Sequence, residues 1–288
     1  MKKVICILMT VLMLIGSMSV LAFAEESLES ITVYVSIAND KGLLALAQEP
    51  IKVTDVDKDG ALTVNDALYS AHEAKYEGGA AAGYESAPSQ WGISLNKLWG
   101  VANGGSYGYY INNNSAMSLT DTVKDGDYLN AYAYTDLSTW SDMYCYFDAY
   151  KLSGDAGAPV TLTLTASTYD AQFNPITVPV ADAVITVDGI STTYKTDTEG
   201  KVTFNIGNAG VRVISAKSQK QTLVPPVCIL TVEAVNVPNS ETQTAANTAT
   251  SDNDAKGCGS TVALVSVGAV AFVGALAVVF GRKKKNEQ

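Results

Sequence analysis

The chain has 288 residues, a formal net charge of -10 and a hydrophobic fraction of 47%. That acidity opposes the phosphate contacts a nucleic-acid partner requires, so nucleic acid is excluded. One histidine in the whole chain cannot supply the paired imidazoles of an HExxH zinc site.

At the start, Lys2 and Lys3 precede an apolar run that closes on Ala22-Phe23-Ala24, with small residues at both positions a signal peptidase reads. This predicts a secretory signal peptide over residues 1–24 that takes Cys6 with it. The run ITVYVSI, 31–37, has partial strand alternation. An acidic loop, DVDKDGALTVND, occupies 55–66. In ALYSAHEAKYEGG, 67–79, Ala67, Leu68, Ala71 and Ala74 share one helical face, and Gly78-Gly79 ends it. A small-residue connector, 79–90, leads into aromatic-rich segments. On 128–134, Tyr128, Asn130, Tyr132 and Tyr134 fall on one strand face, with Leu129, Ala131 and Ala133 on the other. Lys124-Asp125-Gly126-Asp127 reads as a turn. Residues 25–152 are therefore predicted as an α+β, mostly antiparallel domain, with the acidic loop and its helix, 55–79, as an insertion.

A connector at 153–159 leads to short candidate strands at 160–168, 182–189, 191–197, 201–206, 211–217 and 227–235, joined by turns such as TEGK and GNAG. This pattern predicts a β-sandwich over 159–236. Residues 237–259 are polar and cannot bury a core, which predicts a flexible stalk. Residues 261–280 carry no charge, and Arg282, Lys283, Lys284 and Lys285 follow. A membrane helix over 260–281 and a cytoplasmic tail over 282–288 are expected. The expected fold class is mainly β: an α+β N-terminal domain with an EF-hand-type loop and short helix, a β-sandwich, then one transmembrane helix. The expected location is the cell membrane, single-pass, with the ectodomain outside.

The acidic loop carries the sharpest chemistry. An EF-hand loop places oxygen ligands at positions 1, 3, 5, 7, 9 and 12, with glycine at 6. Here Asp55, Asp57 and Asp59 fill positions 1, 3 and 5, and Gly60 fills position 6. Ala61 offers its backbone carbonyl at 7, Thr63 holds a water at 9, and Asp66 offers a carboxylate at 12. The expected cofactor is Ca2+, favoured over magnesium by ligand number and loop flexibility.

Aspartate at position 12 resembles the calcium loop of dockerin modules. Dockerins carry two such loops and this chain has one, so cohesin docking is not carried over. The segment 105–136, with Trp99, Tyr109-Tyr110-Ile111-Asn112 and Asp125-Gly126-Asp127, resembles the DUF4430 family. These are extracellular domains similar to the C-terminal β-rich domain of transcobalamin and intrinsic factor. The resemblance implies binding of a corrinoid or another ring-bearing small molecule, with Trp91, Trp99, Tyr107, Tyr109, Tyr110 and Trp140 as ligand candidates; a glycan is a third class. The segment 181–206 resembles Ig-like or transthyretin-like modules of bacterial surface proteins. The overall arrangement is similar to membrane-anchored surface proteins of Gram-positive, Clostridia-like bacteria, although no LPxTG motif is present.

Catalytic signatures are missing. HEAKY fails as HExxH at Tyr76, no GxSxG occurs, and GGAAAG lacks the strand and lysine of a phosphate cradle. Cys145 and Cys228 sit in apolar, strand-like runs and read as buried small residues; Cys258 lies beside the membrane run. Two readings stand: a non-enzymatic, calcium-stabilised surface binding protein, or a structural or adhesive surface protein with no small ligand.

Overall fold

The computed structural model describes residues 28–90 and 92–234. The expected signal peptide, stalk, membrane span and tail, together with Cys258 and Trp91, lie outside the described residues.

The first half runs β1 (Ile31–Ala38), β2 (Leu44–Val53), α1 (Val64–Lys75), α2 (Gly79–Gly83), β3 (Glu85–Ser89), β4 (Gly92–Lys97), β5 (Tyr107–Ile111), β6 (Asn114–Ser115) and β7 (Tyr128–Ala133). Five strands form one sheet in the order β2-β1-β7-β5-β6, while β3 and β4 form a separate hairpin. The central pair β1–β7 is parallel, and its neighbours are antiparallel. The apolar stripe of α1 (Val64, Ala67, Leu68, Ala71) packs with Val33, Val35, Ile51 and Leu129 in the first core. Its two alanines let the helix approach the sheet closely.

The helix begins three residues earlier than its apolar pattern suggests, because Thr63 caps it. Thr63 and Asp66 form a reciprocal capping box, which settles two of the unpaired donors at a helix start. Strand β2 has no counterpart among the predicted strands. Its alternation is broken at Gln48, which takes φ +47° where the register against β1 shifts between Val35 and Ile37. Such a bulge hides a strand from a period-two search. Gln48 is held in place by its backbone N–H donating to Ser36 Oγ (3.0 Å) and its Nε2 donating to the Val227 carbonyl (2.9 Å).

The second half runs β8 (Met143–Phe147), β9 (Lys151–Asp155), β10 (Pro159–Tyr169), β11 (Pro175–Pro179), β12 (Val184–Val187), β13 (Ile190–Lys195), β14 (Lys201–Asn205), β15 (Gly210–Lys217), β16 (Leu223–Val224) and β17 (Cys228–Glu233). One sheet has the order β11-β10-β8-β16 with β14 also on β10; the other is β13-β12-β15-β17-β9. Phe147, Leu162, Leu164 and Phe204 of the first sheet meet Ile185, Ile214 and Leu230 of the second in one core, so the two sheets form a sandwich. Both prolines of β11 sit on an edge, where a missing N–H costs no ladder bond. Cys145 and Cys228 are buried in this core as free thiols. The Cys145 thiol donates to the Val224 carbonyl (3.2 Å). Burial raises both thiols, Cys228 up to about 12, so neither is a nucleophile at neutral pH.

Two stretches sit differently from expectation. Met143–Phe147, read with the first domain, hydrogen-bonds to β10 and β16. Residues 151–155, which overlap the predicted connector, pair in parallel with β17. The first stretch is apolar on both faces, so alternation could not say which core it joins. The second carries one large apolar residue, Leu152, and no pattern.

Tyrosines join the two cores. Tyr110 stacks on Tyr144 with centroids 3.5 Å apart and planes 5° from parallel. Tyr128 stacks on Tyr150 at 3.8 Å and 3°, and Lys151 Nζ lies 3.6 Å from the centroid of Tyr34. Strand β7 thus buries both faces: Leu129 and Ala131 enter the first core, while Tyr132 enters the joint with Tyr144 and Val224. Gly108, across from Tyr132 in the β5–β7 register, makes room for that ring. A Cβ at Gly108 would overlap the Tyr132 ring atoms. Replacing Gly108 by Ala is therefore expected to cost about 1–3 kcal/mol by overpacking. It should appear as a lower denaturant midpoint with an unchanged slope, and an unchanged midpoint would refute the close fit.

Candidate metal centre and the adjoining groove

The loop after β2 brings Asp55, Asp57 and Asp59 together, with one carboxylate oxygen of each within 4.8 Å of the others. The loop folds around its own first residue. Asp55 Oδ1 accepts from the Asp59 N–H (3.1 Å) and Oδ2 from the Gly60 N–H (2.9 Å). Asp59 Oδ1 accepts from the Ala61 N–H (2.9 Å). Gly60 takes φ +86°, a conformation glycine enters without steric cost. The carboxyl of Asp57 is raised above the usual carboxylate range, first by burial and then by the charges of Asp66 and Asp59. The charges of Asp59 and Asp66 thus oppose that of Asp57, and an oxygen-seeking cation relieves that repulsion.

Asp66 has a different surrounding. It is fully buried. Its Oδ1 accepts from the Val56 N–H (2.8 Å), and its Oδ2 accepts from the Thr63 N–H (2.9 Å) and the Thr63 hydroxyl (2.6 Å). Thr63 Oγ1 in turn accepts from the Asp66 N–H (3.3 Å). Thr63 and Asp66 thus tie the end of the loop to the start of α1, and Asp66 acts on the acidic cluster through its charge on Asp57.

The single loop is backed by a segment from far along the chain. Val123 N–H donates to the Leu62 carbonyl (2.9 Å), and the N–H groups of Val64 and Asn65 donate to the carbonyls of Asp121 and Leu119 (2.9 Å each). Thr63 and Thr122 form an antiparallel bridge. Residues 119–123 therefore hold the loop edge and satisfy two more donors at the start of α1. The sequence reading missed Asn65. Its Nδ2 donates to Asp57 Oδ2 (3.0 Å), and its Oδ1 accepts from the Tyr84 hydroxyl (2.8 Å) and Ser86 Oγ (2.9 Å). A polar residue on the inner side of an otherwise apolar helix start was the available signal.

The lone histidine is structural. His72 is fully buried. Its Nδ1–H donates to the Leu68 carbonyl (2.6 Å), and its Nε2 accepts from the Trp99 N–H (2.8 Å), an arrangement that needs the neutral ring. Burial lowers its pKa from 6.5 to about 4, against a smaller opposing effect of the Leu68 carbonyl.

A groove of about 680 Å³ opens between β4 and β5. Of the aromatic candidates with described side chains, Tyr107 and Tyr109 line it. Tyr107 is fixed by its hydroxyl, which donates to the carbonyls of Asn96 (2.9 Å) and Val101 (2.8 Å). Trp99 packs against His72 and Tyr76, and Tyr110 belongs to the tyrosine joint. Trp140 is exposed, with Nε1 donating to Ser106 Oγ (3.2 Å). The structure therefore does not gather the aromatic candidates into one pocket.

No family model and no curated protein matches the chain. Among the solved structures similar over parts of it are three of low identity. They are the N-terminal four Ig domains of Dscam1 isoform 6.9 (10% identity, 53% of this chain, TM-score 0.21), the D0-D1 domain of Intimin (14%, 71%, 0.25) and SGBP-B of the Bacteroides ovatus mixed-linkage glucan utilization locus, in complex with a mixed-linkage heptasaccharide (10%, 53%, 0.17). The chain spans 42%, 98% and 64% of those chains in turn. At these TM-scores the sandwich rests on its own strand pairing.

Proposed function

We propose that the protein is a calcium-stabilised, non-catalytic binding protein of a bacterial cell surface. Its signal peptide would send it out of the cell, and its stalk, membrane helix and basic tail would hold it there with the described part outside. Calcium would sit among Asp55, Asp57 and Asp59, with the Ala61 carbonyl, Thr63 and Asp66 completing the oxygen set. The observation that carries this reading is the convergence of three carboxylates around the Gly60 turn. An all-oxygen, flexible set of this kind suits calcium. Calcium would supply charge neutralisation, and the chain's own residues provide the fold around it. The bound molecule would be a corrinoid, another small molecule or a glycan. The domain organisation behind this reading is a calcium-loop domain followed by an Ig-like sandwich whose sheets take in β8 and β9. The inward packing of Trp99 and Tyr110 favours a second reading, a structural or adhesive protein with no small ligand.

Calcium at about 100 times its dissociation constant is expected to add about 2.7 kcal/mol of stability. Replacing Asp55 or Asp59 by Ala should remove that gain in a thermal melt while leaving the calcium-free melting temperature nearly unchanged. A gain that persists in both variants would show that the ion sits elsewhere. Calorimetric titration of the calcium-loaded protein with cobalamin tests the ligand; absence of heat excludes a corrinoid.

A further inference from the structure

The groove beside the acidic loop has two walls, and both are held by one residue of α1. One wall is the β3–β4 hairpin, which contributes Ile93 and Asn96; the other carries Tyr109, Met117 and Ser118. The Asn65 side chain accepts from Tyr84 and from Ser86 of the hairpin. The Asn65 backbone N–H donates to the Leu119 carbonyl at the root of the opposite wall. That wall is braced further by Asp121 Oδ2, which accepts from the N–H groups of Met117 (2.7 Å) and Ser118 (3.3 Å). The third attachment of Asn65 is its Nδ2–H to Asp57 Oδ2 in the acidic cluster. Asn65 is itself buried, so these three attachments fix its position.

The geometry points to a groove that is a carbohydrate site whose shape is set by the cation in the acidic loop, with Asn65 as the coupling residue. This rests on the calcium reading above. A cation that draws in Asp57 acts on the oxygen to which the Asn65 amide is bonded, and the amide's other end holds the hairpin. The occupant follows from the lining. The volume lies within the range of small-ligand sites. Glu85 is the one charged residue lining the groove among the described residues, so nothing there neutralises an anionic ligand. Ser94 and Asn96 offer hydrogen bonds, while Tyr107, Tyr109, Ile93 and Met117 offer apolar surface. A purely apolar ligand would leave the polar groups unpaired. A neutral oligosaccharide presents both a hydroxyl rim and an apolar ring face. Tyr107 is already fixed by its two carbonyl partners, which lowers the ordering cost of binding. Linkage then requires that calcium and sugar strengthen each other's binding by the same factor.

The test uses the full chain with and without about 1 mM calcium, a level suited to extracellular sites. Amide hydrogen exchange is followed over residues 85–97 and 117–123. Calcium should slow both segments in the parent. In Asn65→Ala calcium should still raise the melting temperature but no longer slow the hairpin. Ser86→Ala, which removes the bond from the hairpin to Asn65 but keeps that from Tyr84 just before it, and leaves the loop intact, should show a reduced slowing. Calcium binding without any effect on the hairpin, or an undiminished effect in both variants, overturns the coupling; no calcium-dependent change of any kind overturns the calcium reading as well. Neutral hexasaccharides of glucose, mannose and N-acetylglucosamine are then titrated calorimetrically. At least one should bind about 5-fold or more tightly with calcium, the lower end of ordinary coupling. Met117→Glu, at a side chain 86% exposed on the rim, should abolish that binding at an unchanged melting temperature. Binding that ignores calcium, or no binding by any of the three, overturns the proposed occupant.

Discussion

Acidification from pH 6.5 to 4 is expected to remove about 3 kcal/mol of stability through His72 alone, since its pKa falls from 6.5 to about 4 on folding. Between those values the unfolded chain binds a proton that the folded chain refuses, so stability rises with pH across the window. The contribution is fully present above pH 6.5 and is lost as pH falls toward about 4. The cause is geometric. A protonated ring would turn Nε2 into a donor facing the Trp99 N–H, and among the described residues no charged group offsets its burial. Asp57 works in the opposite direction, because its raised carboxyl takes up a proton more readily in the folded state. For a unit of this size the His72 effect corresponds to a fall of roughly 6–12 °C in melting temperature. His72→Gln should flatten the profile between pH 6.5 and 4.5, whatever its effect on stability at neutral pH. Equal slopes in parent and variant would refute the assignment.

Replacing Asp66 by Ala is expected to destabilise the calcium-free protein by about 3 kcal/mol or more, because it strands buried donors and removes half of a capping box. The Val56 N–H, the Thr63 N–H and the Thr63 hydroxyl all lose their acceptor, in a place with no solvent to replace it. Asp55 and Asp59 differ. They lie nearer the surface and bond within their own loop, so without an ion the few hydrogen bonds lost on replacement are largely offset by relief of charge repulsion. Chemical denaturation in chelator separates the cases: Asp66→Ala should show a large drop and Asp55→Ala a small one. Comparable small drops would mean that the Asp66 network contributes little and that the helix start is held by residues 119–123.

The acidic loop was legible because calcium ligation demands oxygen donors at fixed spacing, and Asp55, Asp57, Asp59 and Gly60 display that spacing directly. Six of the sandwich strands, β10, β12, β13, β14, β15 and β17, were legible from short alternating runs and their turns, to within a few residues, whereas β8, β9, β11 and β16 were not. The helix was legible as an apolar stripe, but its first turn was not. That turn is defined by the Thr63–Asp66 cap and by carbonyls of Leu119 and Asp121, which lie far along the chain. The parallel pairing of β1 with β7 and the bulged strand β2 were hidden for the same reason: each depends on a distant partner or on one left-handed residue. The aromatic residues misled in an instructive way. Tyrosine on a strand face looks alike whether it lines a groove, as Tyr109 does, or stacks against a second core, as Tyr110 does.

The backing of the loop by residues 119–123 bears on the order in which the protein assembles. An isolated EF-hand-type loop can close from its own residues, but this one is completed by a segment on the far side of β3, β4 and β5 in the chain. Closing that span costs chain entropy before any of its bonds form, and contacts of such separation are made slowly. A cation whose site is finished late in folding stabilises the native state more than the transition state. Its chief kinetic effect is then to slow unfolding, with little change in the folding rate. On the calcium reading proposed above, the ion would lengthen the lifetime of the folded form rather than hasten its arrival.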